Sequence, residues 1–430
     1  MKKILIIYPH FPPSNLVGVH RARLFVQHLP SFGWEPVLLT VHEEYYEEPL
    51  DINLEKLLST NLRIEKVKAF PITNPRLIGD IGLRGFLHLY VRAKYLIKSE
   101  NFDFIYIPIA SFYCALLGRL LNKSTGIKYG IDYQDPWVHE FPGSKKLFSR
   151  HWFSKKIASI LEPIAVKKAS LITGVAESYY LPVIDRNPHL QGIISGAMPM
   201  GGEIKDHIMA ETLNIAPYLF SKKVGKIQII YAGAMLPKAY EPLKKMFRSI
   251  SDHKQIFDQV EFHFVGTGIV KNGNTINTIK PLAEAYGIFA TIIFEHPKRI
   301  PYLDVLIHLN NADGIFVLGS TEPHYTPSKV YQAVLSAKPI FAILHKNSLA
   351  NEVIVQSNAG VVLAFNGEDD LENISVNFSN TFQKFLNFYK TFSAQNVNTI
   401  MFESSSAFNV TKLLAGLLDK CTTSNSTNLI

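Results

Sequence analysis

The sequence predicts an α/β protein that consists of two doubly wound parallel sheets in succession. Short apolar runs alternate with amphipathic stretches of helical length, a pattern typical of parallel strands joined by helices. The alternation stops between about residues 198 and 225 and then starts again. The chain has 430 residues, of which 47% are hydrophobic, so it is too long for one core and has enough apolar material for two.

The first half contains five apolar runs of strand length. They lie at 4–7, 36–40, 104–107, 127–132 and 171–174, with helical stretches between them, for example at 20–32 and 110–121. The first run follows Met-Lys-Lys and so resembles a short signal peptide. It is too brief, however, and it leads directly into Pro9, Pro12 and Pro13 without a cleavage site, so we interpret it as a strand.

The second half repeats the pattern with six apolar runs. They lie at 226–231, 260–265, 291–294, 314–318, 340–344 and 361–364. After Gly367 the sequence becomes helical, most clearly at 382–392 and 408–418, and we expect the polar tail after Cys421 to fray. Doubly wound units bind ligands where their strands end, so we expect a ligand in a crevice between the two units.

The composition limits which partners and which cellular compartment the sequence is compatible with. The net charge of +8 and the pI near 9.1 permit nucleotide-sugars, acidic lipids or nucleic acid as partners. No nucleic-acid-binding module is recognisable, so we do not expect nucleic acid as a partner. Cys114 and Cys421 give neither a disulfide framework nor a metal-ligand spacing, which indicates a reducing compartment. The sequence lacks a run of about 18 apolar residues, so we expect a cytoplasmic protein without a spanning helix.

The segment 314–339 has the pattern of a buried strand, a polar loop and a helix. Thr326 is the predicted N-cap and Pro327 the first helical residue. Free backbone N–H groups near Ser328 and Lys329, together with the Lys329 ammonium, would then suit a phosphate, and Gln332 one turn later would reach a ribose hydroxyl. An ordinary capped helix with a solvated lysine explains the same pattern equally well.

Two further loops place glycine after a predicted strand. Gly233 lets a ligand approach the backbone, and Lys238 lies within reach of a pyrophosphate. Gly266 and Gly268 follow the next strand in the same way. Either loop alone is more often a simple turn, but three such loops at one edge of a sheet favour a binding site.

These segments, taken in order, resemble the GT-B glycosyltransferases, specifically the large retaining group of family 4. The residues that carry the resemblance lie at 6–13, 18–23, 33–40, 132–137, 231–233, 264–268, 299–302, 312–320 and 327–333. In particular, Asp132-Tyr-Gln-Asp-Pro-Trp137 is similar to an Asp-x-Arg-Asp-Pro-Trp element found in part of the group. The resemblance covers nearly the whole chain, with its strongest parts in these patches.

The resemblance implies two Rossmann-like domains, an acceptor-side domain at 1–205 and a donor-binding domain at 206–405. A C-terminal helix and tail at 406–430 would pack back toward the first domain. The implied activity is transfer of a sugar, with retention, from a nucleotide-sugar to a glycan or lipid-linked acceptor in polysaccharide or glycoconjugate biosynthesis. Such enzymes use no metal and no cofactor, because protein cations stabilise the leaving diphosphate.

The resemblance also implies roles for particular residues. The catalytic candidates are Lys238, Lys329, Glu322 and Asp135. The substrate-binding candidates are Gly18, His20, Arg21, Gly233, Gly266, Gly268, Arg299, Ser328 and Gln332. Lys238 would hold the pyrophosphate with Gly233, Glu322 would face the donor sugar, and Arg299 would lie near the base. Asp135 and His20 are both candidates for accepting the proton of the acceptor.

The sequence departs from the family pattern at several of these positions. The family has two glutamates with seven residues between them, whereas this chain has His324 and Gln332, with Glu322 as the nearby carboxylate. Ala234 stands where an arginine usually follows the donor glycine, and Gln134 replaces the arginine of the Asp-x-Arg-Asp element. Nucleotide binding is therefore better supported than catalysis.

A basic and aromatic stretch at 144–170 bears on the acceptor. Seven basic residues stand against Glu162 alone: Lys145, Lys146, Arg150, Lys155, Lys156, Lys167 and Lys168. Four large apolar residues are interleaved with them: Leu147, Phe148, Trp152 and Phe153. This composition suits the surface of an anionic membrane, and 84–94 is a weaker instance. The alternative is a core-facing helix whose basic side is solvated.

Three other functions remain open from the sequence. A non-hydrolysing nucleotide-sugar epimerase shares this architecture and needs no acceptor. A nucleotide-binding regulatory protein would keep the fold without turnover. A dinucleotide-dependent oxidoreductase is disfavoured, because Gly266-Thr-Gly268 continues into Ile269 and Val270 rather than into a Gly-x-Gly-x-x-Gly motif.

Overall fold

The computed structural model describes residues 1–74, 79–139, 146–271, 274–323 and 325–423, except the side chain of Met401. The chain divides into two compact units. The first comprises 1–200 together with the C-terminal segment from 407, and the second comprises 201–406. The sequence-based boundaries were 205/206 and 405/406.

The described residues of the first unit form a seven-stranded parallel sheet. Its strands are β1 Lys2–Ile7, β2 Trp34–Val41, β3 Arg63–Val67, β4 Phe104–Ile109, β5 Tyr129–Tyr133, β6 Leu171–Gly174 and β7 Ile194–Ala197. They are ordered β3-β2-β1-β4-β5-β6-β7, so the chain winds outward from β1 in both directions. Residues 4–7 of β1 are fully buried because helices cover both faces of the sheet.

Helices of the first unit cover the two faces in separate layers. They are α1 Val19–His28, α2 Ile81–Ser99, α3 Ala115–Thr125, α4 Arg150–Val166 and α5 Glu177–Arg186. Leu5 and Ile7 of β1 face the core shared with α2, α3 and α4, whereas Ile4 and Ile6 face the core shared with α1. This division follows from the alternation of side chains along a strand.

The second unit is built in the same way around a six-stranded parallel sheet. Its strands are β8 Ile227–Ala232, β9 Val260–Val265, β12 Ile293–His296, β13 Gly314–Leu318, β14 Ile340–His345 and β15 Gly360–Phe365, in the order β12-β9-β8-β13-β14-β15. A small antiparallel ribbon, β10 Ile269–Lys271 and β11 Asn274–Ile276, follows β9. The strands β8, β9 and β13 that precede the predicted site loops are therefore neighbours at the centre of the sheet.

The helices of the second unit are α6 Ile204–Thr212, α7 Tyr240–Asp252, α8 Lys280–Ala285, α9 Tyr302–Asn311, α10 Lys329–Leu335, α11 Leu349–Gln356, α12 Leu371–Thr391 and α13 Thr399–Glu403. Aromatic rings dominate one side of the core, where Phe378, Phe382 and Phe385 of α12 pack against Phe341 of β14. This packing fixes the sheet that carries the candidate site.

The final helix, α14 Ala407–Thr423, belongs to the first unit, as the resemblance implied. It packs beside α1 and buries Val410, Leu414 and Leu418 against the sheet. Lys2 binds the Asp419 carboxylate at 2.7 Å, and the Trp34 indole donates to the same oxygen at 3.2 Å. The first unit is therefore completed by the end of the chain.

The predicted α/β fold class is confirmed, and the differences lie at the margins of the sheets. β3 and β7 were not predicted, because both are edge strands: β3 carries Arg63, Glu65 and Lys66, and β7 is only partly buried. The ribbon of β10 and β11 is also too exposed to give an apolar run. The helix α6 occupies part of the segment that we interpreted as lacking a period.

We expect Leu414→Ala to lower the free energy of unfolding by about 2–5 kcal/mol, because the side chain is fully buried between α14 and the sheet. Leu413, its neighbour on the same helix, is 46% exposed and provides the matched control. Leu413→Ala is expected to change stability by less than about 0.5 kcal/mol. Urea denaturation followed by circular dichroism measures both, and equal effects would contradict the placement of α14.

Candidate functional site

Two glycine loops lie side by side where β8 and β9 end. Gly233 has φ +122° and Gly266 has φ +72°, conformations that favour glycine. The Gly233 N–H donates to the Val265 carbonyl at 2.8 Å, and the Gly266 N–H donates to the His296 carbonyl at 2.8 Å. A Cβ on Gly266 would lie 3.9 Å from the Gly233 nitrogen. The predicted loops therefore share one edge of the sheet.

Lys329, the first residue of α10, extends its side chain over the first of these loops. Its Nζ lies 3.8 Å from the ring centroid of Tyr231, and a Cβ on Gly233 would lie 3.2 Å from this Nζ. Among the residues that the structure describes, no carboxylate is within ion-pairing distance of Nζ, and no hydrogen bond to it is formed. The ammonium thus lies against backbone and an aromatic face.

Burial lowers the pKa of Lys329 to about 7, because removing water from the ammonium disfavours its charged form. The Lys329 residue as a whole is only half-buried, whereas its terminal ammonium is enclosed. Such a group attracts an anion, since an anion would restore the lost solvation.

Lys238 and Glu322 meet at the same edge of the sheet. Lys238 Nζ is 3.7 Å from Glu322 Oε1 and 4.0 Å from Glu368 Oε1. The Thr321 N–H donates to the Lys238 carbonyl at 3.2 Å, which ties the loop after β13 to the loop after β8. Because both side chains of the Lys238–Glu322 pair are partly exposed, the pair is weak, and an anionic ligand can compete for the lysine.

The start of α10 differs from the prediction. The N-cap is Ser328 rather than Thr326, and Pro327 precedes the helix, where its carbonyl accepts from Val330 N–H at 3.0 Å. The backbone N–H groups of Ser328 and Lys329 have no acceptor among the described residues. With seven residues, α10 is too short for a strong dipole, so Lys329 itself carries most of the positive charge. His324, in the preceding loop, lies outside the described residues.

Gln332 has an internal partner that the sequence did not indicate. Its Oε1 lies 2.8 Å from His207 Nε2, and His207 Nδ1 lies 3.1 Å from Asn310 Oδ1. Burial lowers the pKa of His207, so the ring is neutral at pH 7. The predicted contact of Gln332 with a ribose must therefore use its amide nitrogen or compete with His207.

Arg299 and Gly268 flank the second loop. The Arg299 Cα would be 3.7 Å from a Cβ on Gly266, so Arg299 lies directly beside this loop. A Cβ on Gly268 would approach Pro297 and Thr275 to 2.7 Å. Close packing thus explains the glycine at 268, and its predicted contact with substrate has no separate support.

In the first unit, Arg21 is engaged inside the fold. Its Nε and Nη2 donate to the two oxygens of Asp132 at 2.5 and 2.8 Å, and its Nη1 donates to the Met198 and Pro199 carbonyls. Thr173 donates to the same carboxylate. Both Arg21 and Asp132 are at most 1% exposed. The guanidinium of Arg21 thus binds a buried carboxylate inside the fold, and its predicted contact with substrate stays a prediction.

Gly18 lies at the start of α1 against two side chains of the first unit. A Cβ there would overlap Tyr8 Oη and would lie 2.9 Å from Gln134 Oε1. Gln134 is buried, and its Nε2 has no hydrogen-bond partner among the described residues. Gly18 is thus required for packing, whereas Gln134 offers a buried donor that the sequence did not identify.

The two candidates for accepting the proton of the acceptor, His20 and Asp135, differ in how burial shifts their pKa. Burial, with the nearby charge of Arg23, holds the pKa of His20 well below its usual range, so the imidazole is neutral. Partial burial raises the pKa of the Asp135 carboxyl to about 6, although the residue remains exposed. Asp135 is therefore mostly ionised at pH 7 and able to accept a proton.

Several groups at these sites could not be found from the sequence. Tyr231, Glu368 and His207 contact Lys329, Lys238 and Gln332, yet each is distant from its partner along the chain. Asp132 was noted only as part of a family element. Within the described ranges, no group of three or more His, Cys, Asp or Glu side chains is placed to hold a metal ion.

Comparison with solved structures shows the fold. The chain is similar to Anabaena HepE in complex with UDP-glucose (TM-score 0.62, 14% identity, 98% of this chain and 100% of that one). It is also similar to the UDP-forming α,α-trehalose-phosphate synthase from Burkholderia xenovorans (TM-score 0.64, 12% identity, 98% and 100%). A third similar structure, from Listeria monocytogenes, is assigned as a UDP-N-acetylglucosamine 2-epimerase (TM-score 0.54, 10% identity, 98% and 96%).

These structures establish that the chain has the GT-B fold over nearly its whole length. No protein-family model matches the sequence. No curated protein matches it either. At identities below 15% the similarity does not decide the subgroup within this fold.

We expect Arg21→Ala to lower the free energy of unfolding by about 3–5 kcal/mol, because it leaves the Asp132 carboxylate buried without its partner. Chemical denaturation measures the loss, and the double variant with Asp132→Ala should lose less than the sum of the single variants. Arg92→Ala is the control, since the Arg92–Glu65 pair is partly exposed and is worth about 0–1 kcal/mol. A loss at Arg21 no larger than this control would contradict a structural role.

We expect Lys329→Met to stabilise the protein by about 1–3 kcal/mol at pH 7, because it removes an ammonium whose pKa is depressed to about 7. Between pH 7 and the ordinary lysine pKa of about 10.4, the unfolded chain binds more protons than the folded one. The stability of the unsubstituted protein should therefore rise with pH in this window, and the advantage of Lys329→Met should shrink. Chemical denaturation at several pH values tests this.

The control is Lys238→Met, which removes a lysine whose side chain is 43% exposed. We expect it to change stability by less than about 0.5 kcal/mol. A Lys329→Met variant that is less stable than the unsubstituted protein at pH 7 would show that the ammonium has a partner in the free protein.

Proposed function

We propose that this protein is a glycosyltransferase that moves a sugar from a nucleotide-sugar to a glycan or lipid-linked acceptor. The observation that carries the proposal is the ammonium of Lys329, which is enclosed beside two glycine loops and has no carboxylate partner in the described part of the chain. A diphosphate is the ligand that best fits this position, since it offers charge to the lysine and oxygens to the backbone. The solved structures of the same fold that bind UDP or UDP-glucose support this choice.

The charge of the leaving group is the main chemical problem in this reaction. As the bond between sugar and diphosphate breaks, negative charge grows on the diphosphate and positive charge on the sugar. In our proposal Lys329 and Lys238 stabilise the diphosphate, so a bound metal is not needed. Lys329 arrives with a pKa of about 7, and a nearby diphosphate would raise that pKa and complete its protonation.

Two carboxylates serve the sugar side of the proposed reaction. We assign Glu322 to the donor sugar, which requires that the diphosphate draws Lys238 away from this carboxylate. Retention of configuration follows the family 4 resemblance. We assign Asp135 of the first unit to the proton of the acceptor, since its pKa of about 6 leaves it ionised at pH 7.

On the nucleotide side, Arg299 beside the loop of Gly266 is our candidate for contact with the base. Gln332 is our candidate for the ribose, through the amide atom that His207 does not occupy. Uridine diphosphate sugars are the first donors to test, because similar structures hold UDP and UDP-glucose. We place the protein in the cytoplasm and in the synthesis of a polysaccharide or glycoconjugate.

An epimerase of the free nucleotide-sugar is the second candidate. The similarity to the structure assigned as a 2-epimerase favours it. The two activities differ in a simple way, because an epimerase converts the nucleotide-sugar without an acceptor, whereas a transferase releases the nucleotide and elongates an acceptor. A nucleotide-binding protein without turnover would bind the donor and leave it unchanged. Product analysis by mass spectrometry and NMR separates the three.

We expect UDP binding at pH 8 to be accompanied by uptake of about one proton, because Lys329 is mostly neutral in the free protein and charged beside the diphosphate. Titration calorimetry in two buffers of different ionisation enthalpy measures the uptake. Lys329→Met should abolish the uptake and weaken binding by about 1.5–3 kcal/mol, roughly 10- to 150-fold.

Lys238→Met is the matched control for this experiment. It removes a cation from the same edge of the sheet and should weaken binding, but the proton uptake should persist because Lys329 is intact. If UDP, other nucleoside diphosphates and their sugars produced no heat and no thermal shift, the proposed donor site would be wrong. If Lys329→Met bound with unchanged affinity, the lysine would have no part in it.

A further inference from the structure

The helices α2, α3 and α4 form one layer of the first unit, and their outward sides carry unusual apolar residues. α3 packs against α2 on one side and α4 on the other, and all three contribute buried residues to the same core. We call the solvent-facing side of this layer the outer face of α2, α3 and α4. It is separate from the loops at the donor site, which belong to the second unit.

A continuous apolar stripe runs along α4 on this face. Phe153, Ile157, Ile160 and Ile164 follow one another at intervals of four, three and four residues and are 48%, 42%, 56% and 49% exposed. This spacing places them on one side of the helix. The opposite side of α4 buries Ala158, Glu162 and Ala165. The stripe is therefore not the core-facing side of the helix, which answers the alternative left open by the sequence.

Large apolar residues continue on the neighbouring helices and at the start of α4. On α2, Leu87, Val91 and Tyr95 recur every four residues and are each more than half exposed. Leu120 of α3 is 40% exposed. Just before α4, Phe148 is 74% exposed and lies in contact with Trp152 and Phe153. Exposed apolar surface of this extent usually marks a site of interaction.

The charge of these three helices is predominantly positive. In the residues of the three helices the only carboxylate is Glu162, which is buried and paired with Arg186. Apart from the buried Arg84, the basic residues on and beside the helices are at least partly exposed: Arg92, Lys94, Lys98, Arg119, Lys123, Lys146, Arg150, Lys155, Lys156, Lys167 and Lys168. Of these, Arg92 is paired with Glu65 of β3. A protein partner would have to match both the stripes and this excess of positive charge. A bilayer with anionic headgroups matches both at once.

We propose that the outer face of α2, α3 and α4 binds an anionic lipid bilayer. The stripe of α4 and the indole of Trp152 enter the interface between headgroups and acyl chains, and the flanking lysines and arginines contact lipid phosphates. The described helices include none that is long and apolar enough to cross a membrane, so attachment would be to one surface. The proposal does not depend on the proposed glycosyltransferase activity.

The test is sedimentation of the full-length chain with vesicles of phosphatidylcholine alone or mixed with phosphatidylglycerol. We expect binding to the mixed vesicles only, weakened by added salt. Trp34 and Trp137 are buried, so quenching of tryptophan fluorescence by brominated lipid reports on Trp152. We expect this quenching in the mixed vesicles and its loss in Trp152→Phe.

Two sets of variants separate the apolar and the charged contributions. Ile157→Ser and Ile160→Ser should each weaken vesicle binding about tenfold, because each removes one inserted side chain. Lys156→Gln and Lys168→Gln should each weaken it about fivefold. The matched controls are Leu413→Ser and Lys412→Gln on α14, which are exposed on the other helix layer of the same unit and should leave binding unchanged.

Three results would overturn the proposal. One is equal binding to both kinds of vesicle, or no binding to either. Another is equal loss of binding in the α14 controls, which would mean that attachment is diffuse. The third is self-association of the chain, detected by light scattering, that the Ile157→Ser and Ile160→Ser variants abolish without any vesicle binding, which would assign the face to contact between two copies. UDP binding measured on the same variants shows whether the donor site is intact, so failure here is distinguishable from failure of the proposed activity.

Discussion

The ammonium of Lys329 sets requirements for every loop around it. An ammonium removed from water needs compensating contacts, and here the face of Tyr231 and the loop of Gly233 supply only part of the compensation, since its pKa falls to about 7. Gly233 must lack a side chain, both because its φ is positive and because a Cβ would press on Nζ. β8, which carries Tyr231, and α10, which begins at Lys329, must also keep their positions relative to each other. The position of the Lys329 ammonium thus accounts for Gly233, for the ring of Tyr231 and for the start of α10.

Each unit contains a buried cationic side chain, and the two side chains differ in whether the fold supplies a carboxylate partner. In the first unit, Arg21 meets Asp132 and two carbonyls, so its donors are satisfied by the fold and the pair joins α1 to β5. In the second unit, no carboxylate of the residues described here pairs with Lys329, and burial lowers its pKa. The Arg21–Asp132 pair stabilises the fold, and its hydrogen-bond donors are already used, so they are not free to bind a ligand. An unsatisfied ammonium lowers stability but keeps its interaction energy for an incoming anion, which is the pattern expected of a binding site.

The sequence predicted much of the fold because buried parallel strands are continuous apolar runs. The central strands of both sheets were visible for this reason, whereas the edge strands β3 and β7 were not, since they alternate charged or small residues. The glycine loops and Lys329 could be placed at one edge because parallel strands end together. The residues that bind Arg21 and Gln332 inside the fold could not be predicted from the sequence. Whether Arg21 points to a ligand or to Asp132, and whether Gln332 is free or bonded to His207, depends on tertiary packing between residues more than 100 positions apart.

The contact between Gln332 and His207 bears on the departure from the family's glutamate. A neutral imidazole donates only one hydrogen bond, yet both His207 nitrogens have an amide oxygen nearby, so one of the two amides must present its nitrogen instead. A glutamate at position 332 could not do so, and its charge would raise the pKa of His207. Glutamine at position 332 therefore suits a neutral histidine and is part of a local network with His207 and Asn310. In our proposal Glu322, on the neighbouring loop, is the carboxylate that balances a cationic sugar.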